Sequence, residues 1–343
     1  MTNIFVTRRI PQVGLDILDR AAVSYDIGQN DEEKGCDRAH LLRAVRETDV
    51  LLSLLTDQVN RELLEANPKL RGVANHAVGF NNVDVAAATE LGIPVSNTPG
   101  VLTETTADLT WALLLSIARR IPESEAYMRA GRYQIWGPNL LLGVDVGPGP
   151  DGRRKVLGIV GFGRIGQAVA RRAAGFDMDV VAHDPNRAAV DAFPGARWAS
   201  MGELLETADF VCLHPLLTPE THHLIDEAAL RRMKPTAYLI NVARGEVVHE
   251  AALVRALREH WIAGAALDVY EREPAVELGL LDLENAVLVP HIGSATKDTR
   301  DAMATIATTN ALAHLKGERA PQCINPAVYE TEAWRRRTQG ARV

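Results

Sequence analysis

The stretch from Val156 to Asp184, VLGIVGFGRIGQAVARRAAGFDMDVVAHD, limits what this chain can fold into more than any other. Val156-Leu157-Gly158-Ile159-Val160 is an apolar, branched run and predicts a buried strand. Gly161, Gly163 and Gly166 follow as G-x-G-x-x-G. Ile165, Ala168, Val169 and Ala173 then recur at helical spacing, and Val180-Val181-Ala182 predicts a second strand ending at Asp184. Strand, glycine turn, helix, strand and acid make one βαβ unit of dinucleotide-binding type. Gly161 permits the tight turn, Gly163 lets the backbone approach a pyrophosphate, and Gly166 lets helix and strand pack closely. Backbone N–H groups at the helix start, near Arg164 and Ile165, suit phosphates. Asp184 suits ribose hydroxyls. The glycines alone are a weak signal; the flanking elements make the reading specific.

Strand and helix patterns alternate on both sides of this unit, which predicts parallel α/β structure throughout. Before it, strands are expected at Ile4 to Val6, Asp49 to Leu55, Val73 to Ala74 and Ile93 to Asn97. Helices are expected after Pro11, at Leu41 to Arg46, at Arg61 to Ala66 behind an Asn60 cap, and at Val83 to Glu90. Thr103 to Arg120 reads as a long connecting helix, its start capped by Thr103 with Thr106 or Thr105 with Asp108. After Asp184, strands are expected at Asp209 to Leu213, Ala237 to Asn241, Ile262 to Val269 and Glu284 to Val289. A last helix, Ala302 to Leu315, is expected to return to the first domain. The predicted division is therefore 1–102 with 292–333 as one domain, 103–291 as the second, and 334–343 as a flexible basic tail.

At 343 residues two domains are the natural expectation, and 47% hydrophobic with 24% charged residues gives a sizeable core. A net charge of −7 gives no basic surface for nucleic acid or anionic membrane. No apolar run reaches membrane-spanning length, and MTNIFVTRRIP lacks the apolar core of a signal peptide. Cys36, Cys212 and Cys323 are few and scattered, so the chain reads as reduced and cytoplasmic, with no disulfide framework. No metal spacing is found; His222-His223 reads as a solvated pair.

Ligands of open α/β sheets bind at the carboxyl ends of the strands. Arg244, Glu273 and His291 each follow a predicted strand there. Singly, each has a plain explanation: an ion pair, a loop acid, a surface histidine. Together beside a dinucleotide they supply a carboxylate clamp, a proton donor and a carboxylate to tune it. That set suits reduction of a 2-keto acid.

The pieces IFVTRRIP, AVGFNNVDV, NTPGVLTETTADLTWALLLSIARRIPE, GFGRIG, NVARGEVV, GAALDVYEREP and PHIGSAT resemble the D-isomer-specific 2-hydroxyacid dehydrogenases, and most of all their glyoxylate/hydroxypyruvate reductases. The resemblance implies a Rossmann-type NAD domain and a smaller flavodoxin-like substrate domain built from both chain ends. It implies Arg244, Glu273 and His291 as catalytic residues. It places substrate at Val78, Gly79, Leu55, Arg244 and Trp136, with the Trp136 ring reaching a partner subunit's site in a homodimer. It places the cofactor at the glycine turn with Arg164 and Ile165, at Asp184, at His214 and Pro215, at Val242 to Arg244, at Asp268, and from His291 to Gly293. The alternative for Trp136 is a core aromatic. The loop Val146 to Lys155 is longer than usual, and Pro215 stands where relatives often carry threonine.

The resemblance implies a small 2-keto or 2-hydroxy acid substrate. Asp184 favours NAD(H) over NADP(H), with Arg187 nearby as a countervailing charge. Other acids of the family, such as phosphoglycerate or a larger 2-keto acid, and an NAD(H)-binding corepressor-like scaffold are the alternatives.

Overall fold

The computed structural model describes residues 3–31 and 33–338. Thr103–Ser294 forms one compact unit, and the chain on either side of it forms the other. The larger unit ends after Ser294 because Ile292 and Gly293 are held by Asp268 within it.

The smaller unit contains β1 (Asn3–Val6), β2 (Ser24–Ile27), β3 (Val50–Leu54), β4 (Gly72–His76) and β5 (Val95–Ser96). They form a five-stranded parallel sheet in the order β2-β1-β3-β4-β5. The interior strands β3 and β4 are buried, and β3 reads as a largely apolar run in the sequence. The edge strand β2, SYDI, alternates exposed and half-buried residues and offers no such run. Helices Gln12–Arg20 and Lys297–Lys316 cover one face, with Ile4, Val6, Leu15, Leu18, Ala304 and Ala311 in one core cluster. Asn60 caps helix Arg61–Glu65 by accepting the Leu63 N–H.

The expected structureless tail is corrected in its described part. Glu332–Thr338 is a helix, and residues 339–343 lie outside the described residues. The Arg337 guanidinium donates to the carbonyls of Leu91, Asn67, Pro68 and Leu70, while Trp334 meets Tyr329 edge-on at 5.2 Å. A basic run that reads as solvated thus supplies donors to carbonyls at the ends of two short elements.

The larger unit contains β6 (Val156–Val160), β7 (Asp179–His183), β8 (Ala196–Trp198), β9 (Phe210–Leu213), β10 (Tyr238–Asn241), β11 (Gly264–Leu267) and β12 (Ala286–Leu288). Their order is β12-β11-β10-β9-β6-β7-β8, with every pairing parallel. The topological switch lies between β6 and β9. Helix Thr103–Ala118 packs here: the Trp111 indole donates to Val169 O at 3.2 Å and stacks on Phe176 at 4.5 Å. Thr106 is buried and donates to Gly293 O at 2.9 Å, and Asp108 pairs with Arg172. A further helix, Ile121–Arg129, follows and buries none of its side chains. In the long loop, Val146 is buried while Gly149 to Arg153 closes a turn. Cys212 lies in the core.

Candidate active site

The glycine turn joins β6 to helix Arg164–Ala173. Gly161 has φ +87°, and a Cβ there would meet the His214 carbonyl carbon at 2.6 Å, so no other residue fits without displacing the next strand's exit. Gly163 stands at the cap position with open space around its Cβ direction and no side-chain cap on the helix. The first N–H groups of the helix are thereby left to a ligand. His214 leaves β9 beside this turn, and both its ring nitrogens are buried without a hydrogen-bond partner among the described residues. Burial pushes its pKa down to about 3, so the ring is neutral. Open space at Gly163, uncapped N–H groups and an orphaned imidazole fit a bound dinucleotide at this turn.

Asp184 lies just past the end of β7. Its Oδ2 accepts the Phe162 N–H at 2.7 Å and its Oδ1 the Asn186 N–H at 2.8 Å. The carboxylate is thus fixed against the glycine turn, and each oxygen keeps a further lone pair for a hydroxyl. Pro215, next to His214 in sequence, is half-buried. Arg187 bonds to Asp191 at 3.1 Å and lies 4.9 Å over the Trp198 ring.

At the end of β10, Asn241 organises the segment Val242 to Arg244. Its Oδ1 accepts the Ala243 N–H at 3.0 Å and its Nδ2 donates to Arg244 O at 2.9 Å. Arg244 is half-buried; burial lowers its pKa, opposed by the charges of Glu273 and Glu246. It remains a cation, as arginine does in proteins.

At the end of β11, Asp268 is 1% exposed, and burial pushes its carboxyl up to about 6. Its Oδ1 accepts the Ile292 N–H at 2.6 Å, its Oδ2 the Gly293 N–H at 2.8 Å, and its carbonyl the His291 N–H at 2.9 Å. These bonds hold His291 at φ +53°, a left-handed conformation that costs a non-glycine residue about 1–3 kcal/mol. His291 Nδ1 lies 2.8 Å from Glu273 Oε2, with each side chain 25% exposed. Glu273 Oε1 accepts the Tyr270 N–H at 3.0 Å. Burial opposes ionisation of Glu273, but the His291 bond and charge, the Tyr270 N–H and the Arg244 charge hold its carboxyl below the usual range. The arrangement can donate a proton from the imidazole and hold a carboxylate with a guanidinium.

Residues 111–293 match the family described as D-isomer specific 2-hydroxyacid dehydrogenase, NAD binding domain. The chain belongs to this family. It is 46% identical over 331 residues to a glyoxylate reductase of Thermococcus litoralis, covering 95% of this chain and 97% of the relative. A solved structure from Thermus thermophilus superposes with TM-score 0.86 at 43% identity, covering 94% of this chain and all of that one. An NADPH-dependent glyoxylate/hydroxypyruvate reductase from Sinorhizobium meliloti, solved with NADP and malonate, has TM-score 0.79 at 31% identity, covering 96% and 97%.

In this dehydrogenase the remaining residues named from sequence fall in two places. Trp136 belongs to the larger unit and is 71% exposed, which excludes the core alternative. Leu55, Val78 and Gly79 belong to the smaller unit. There the Thr98 N–H donates to Ala77 O at 2.9 Å and Asn97 Nδ2 to Val78 O at 2.7 Å. Those two bonds set the peptide planes that carry the Val78 and Gly79 N–H groups. Leu55 is half-buried.

Asn241 and Tyr270 act on the site and were not singled out from sequence, and Thr106, which also acts on it, was read only as a helix cap. Asn241 stands in NVARG and Thr106 in TETTADL, so their segments were legible but not their bonds. The solvated reading holds for His222, which is exposed, and is corrected for His223, whose Nε2 lies 2.9 Å from Glu271 Oε1. The other oxygen of Glu271 accepts the Glu250 N–H at 3.1 Å, which fixes the carboxylate beside that ring. Among the described residues no cluster of histidine, cysteine and acid has metal-holding geometry, and no helix is long and apolar enough to cross a membrane.

Proposed function

We propose that this dehydrogenase reduces glyoxylate and hydroxypyruvate, to glycolate and D-glycerate, and prefers NADH. The observation that carries the reading is the His291–Glu273 pair, electrostatically coupled to Arg244 at the carboxyl edge of the nucleotide-binding sheet. A nicotinamide dinucleotide, when bound, would supply the hydride. The helix start at Arg164 and Ile165 would hold its phosphates, Asp184 its ribose hydroxyls, and His214, Pro215, Val242, Ala243 and Gly293 its remaining surface.

Arg244 presents a planar fork to the substrate carboxylate and polarises the adjacent carbonyl. Glu273 occupies His291 Nδ1, so Nε2 is the nitrogen that donates the proton to the carbonyl oxygen. Asp268 acts through backbone: it positions His291 and does not touch the reacting atoms. Val78 and Gly79 offer N–H groups to substrate.

Ile121, Met128, Ile135, Trp136 and Leu142 leave large apolar side chains exposed on the larger unit, which supports a homodimer that covers them. Light scattering gives the mass directly. The activity is tested by following NADH consumption with glyoxylate and with hydroxypyruvate, in parallel with NADPH. No turnover with either keto acid sinks the reading.

A further inference from the structure

Glu250 opens helix Glu250–Arg258 of the larger unit, is 3% exposed, and has no part in the chemistry above. Burying a carboxylate is costly unless hydrogen bonds hold its charge. Here the bonds come from backbone. Its Oε1 accepts the Glu271 N–H at 2.8 Å, and a bond from the Glu277 N–H also favours its ionised form. Residues 271 and 277 are the two ends of the segment EREPAVE, which carries Glu273. One buried acid thus holds both ends of the loop that presents the proton donor's partner.

The other contacts of this loop converge on the same place. Glu271 Oε2 accepts the Glu250 N–H at 3.1 Å, so the two acids exchange bonds across one pair of backbones. Glu271 Oε1 lies 2.9 Å from His223 Nε2, and the His223 N–H donates to Glu246 O at 2.8 Å. Gly245, the residue after Arg244, lies directly on the Tyr270–Glu271 peptide. A Cβ there would stand 1.8 Å from the Tyr270 carbonyl carbon and 2.3 Å from the Glu271 nitrogen, a space only glycine fits. The peptide that Glu250 holds is therefore the one against which the Arg244 segment rests.

We propose that Glu250 is a positioning residue for Glu273: through the Glu271 and Glu277 N–H groups it sets where the loop presents the Glu273 carboxylate to His291 and Arg244. The inference rests on the proton-donor reading above and adds what fixes its spacing. The bond from Tyr270 N–H to Glu273 lies within the loop, so it shapes the loop and does not locate it. Glu250 comes from a separate element, a helix rooted in the core by the buried Leu253 and Leu257. A carboxylate serves because a charged acceptor holds N–H groups more strongly than a neutral one.

The test is steady-state kinetics of the full chain with NADH and glyoxylate. Glu250→Ala, Glu273→Gln and the double variant are compared, each checked for native circular dichroism. Glu250→Ala is expected to lower kcat about tenfold, with KM for NADH within about twofold of its original value. In the Glu273→Gln background the same change should cost less than about twofold, because the group it positions is gone. Glu250→Gln keeps an acceptor oxygen for one of the two N–H groups and should bring kcat back to within about threefold. If Glu250→Ala fails to fold, Glu250→Gln takes its place in the comparison, and its smaller loss should likewise vanish beside Glu273→Gln. A lower Tm with kcat unchanged makes Glu250 a structural residue and overturns the proposal. Equal losses of kcat in both backgrounds overturn it too, since Glu250 then acts on something other than Glu273. An unchanged kcat in Glu273→Gln alone overturns the proton-donor reading and this inference with it, and the single variant shows that by itself.

Discussion

His291 Nδ1 and Glu273 Oε2 are 2.8 Å apart, and the same carboxyl group accepts the Tyr270 N–H through its other oxygen at 3.0 Å. The acid is thus anchored to backbone at one end and to the imidazole at the other. His291→Gln keeps the size and loses the proton. It is expected to lower kcat by roughly 10²–10⁴, the usual scale of general acid catalysis, with NADH binding by fluorescence nearly unchanged. Glu273→Gln keeps the side chain's size and removes the carboxylate that anchors the imidazole, so kcat for reduction is expected to fall with KM for the keto acid little changed. Reduction by His291→Gln at the unmodified rate would show that another group gives the proton.

Asp268 supports the same imidazole through backbone, accepting the Ile292 and Gly293 N–H groups at 2.6 and 2.8 Å. Asp268→Asn keeps one acceptor and turns an NH₂ group toward the other N–H. The left-handed conformation of His291 then loses part of its support. A fall in kcat larger than any rise in KM is expected, with stability down by about 1–3 kcal/mol. If kcat and KM both stay at their original values while only stability drops, Asp268 holds the fold and not the proton donor.

The sequence announced the buried parts of both sheets because interior parallel strands are continuous apolar runs, as in VLGIV and VLLSL. It was silent on β2 and β8, whose SYDI and ARW are mixed and lie at sheet edges. The helix Ile121–Arg129 was missed for a related reason: with no buried side chain it has little apolar face to read. Arg244, Glu273 and His291 were legible because each follows a strand end. The bonds that fix them come from Asn241, Tyr270 and Thr106, and depend on loop geometry that spacing does not encode. Arg337 reversed its reading because its partners, near residues 67–70 and at Leu91, are distant in sequence.

Arg337 is also a stability determinant on that geometry. Its guanidinium donates to four carbonyls of the smaller unit, at distances from 2.6 to 3.3 Å. Burial lowers its pKa without supplying a carboxylate partner, so its bonds are to neutral oxygens. Arg337→Ala leaves carbonyls to find water and is expected to cost about 1–3 kcal/mol. Denaturant unfolding measures it. Arg335→Ala, in the same helix, is the control and should lie within about 0.5 kcal/mol of the unmodified chain.

His314 makes acid stability a second test of the smaller unit. Its ring is 1% exposed, Nε2 lies 3.0 Å from Ser96 Oγ, and Nδ1 is buried without a partner among the described residues. Burial pushes its pKa down to about 3, against about 6.5 for the unfolded chain. Below about 6.5 the unfolded state takes up the proton first, so stability falls as pH drops toward 3 and is unaffected above that window. His76 and His214 shift in the same direction. His314→Gln should flatten the dependence of Tm on pH between about 6.5 and 4, whatever its effect at neutral pH. An unchanged slope would mean that His314 does not titrate differently in the two states.

Cofactor choice rests on Asp184. Its two oxygens are fixed by the Phe162 and Asn186 N–H groups at 2.7 and 2.8 Å, so the carboxylate cannot easily turn away from the adenosine ribose it is proposed to hold. It accepts from the 2′- and 3′-hydroxyls of NADH. The 2′-phosphate of NADPH would set a dianion against it, a clash of about several kcal/mol, or on the order of a hundredfold or more in affinity. Arg187 could relieve the clash only by leaving Asp191 and the face of Trp198. NADH is therefore expected to exceed NADPH in kcat/KM by about a hundredfold, with Asp184→Ser narrowing or reversing the gap. Asp184→Asn removes the charge while its amide oxygen still accepts the Phe162 N–H, which separates electrostatics from loss of the turn. Equal kcat/KM for the two cofactors in the unmodified protein would place the 2′-phosphate away from Asp184, as a site open to NADPH requires.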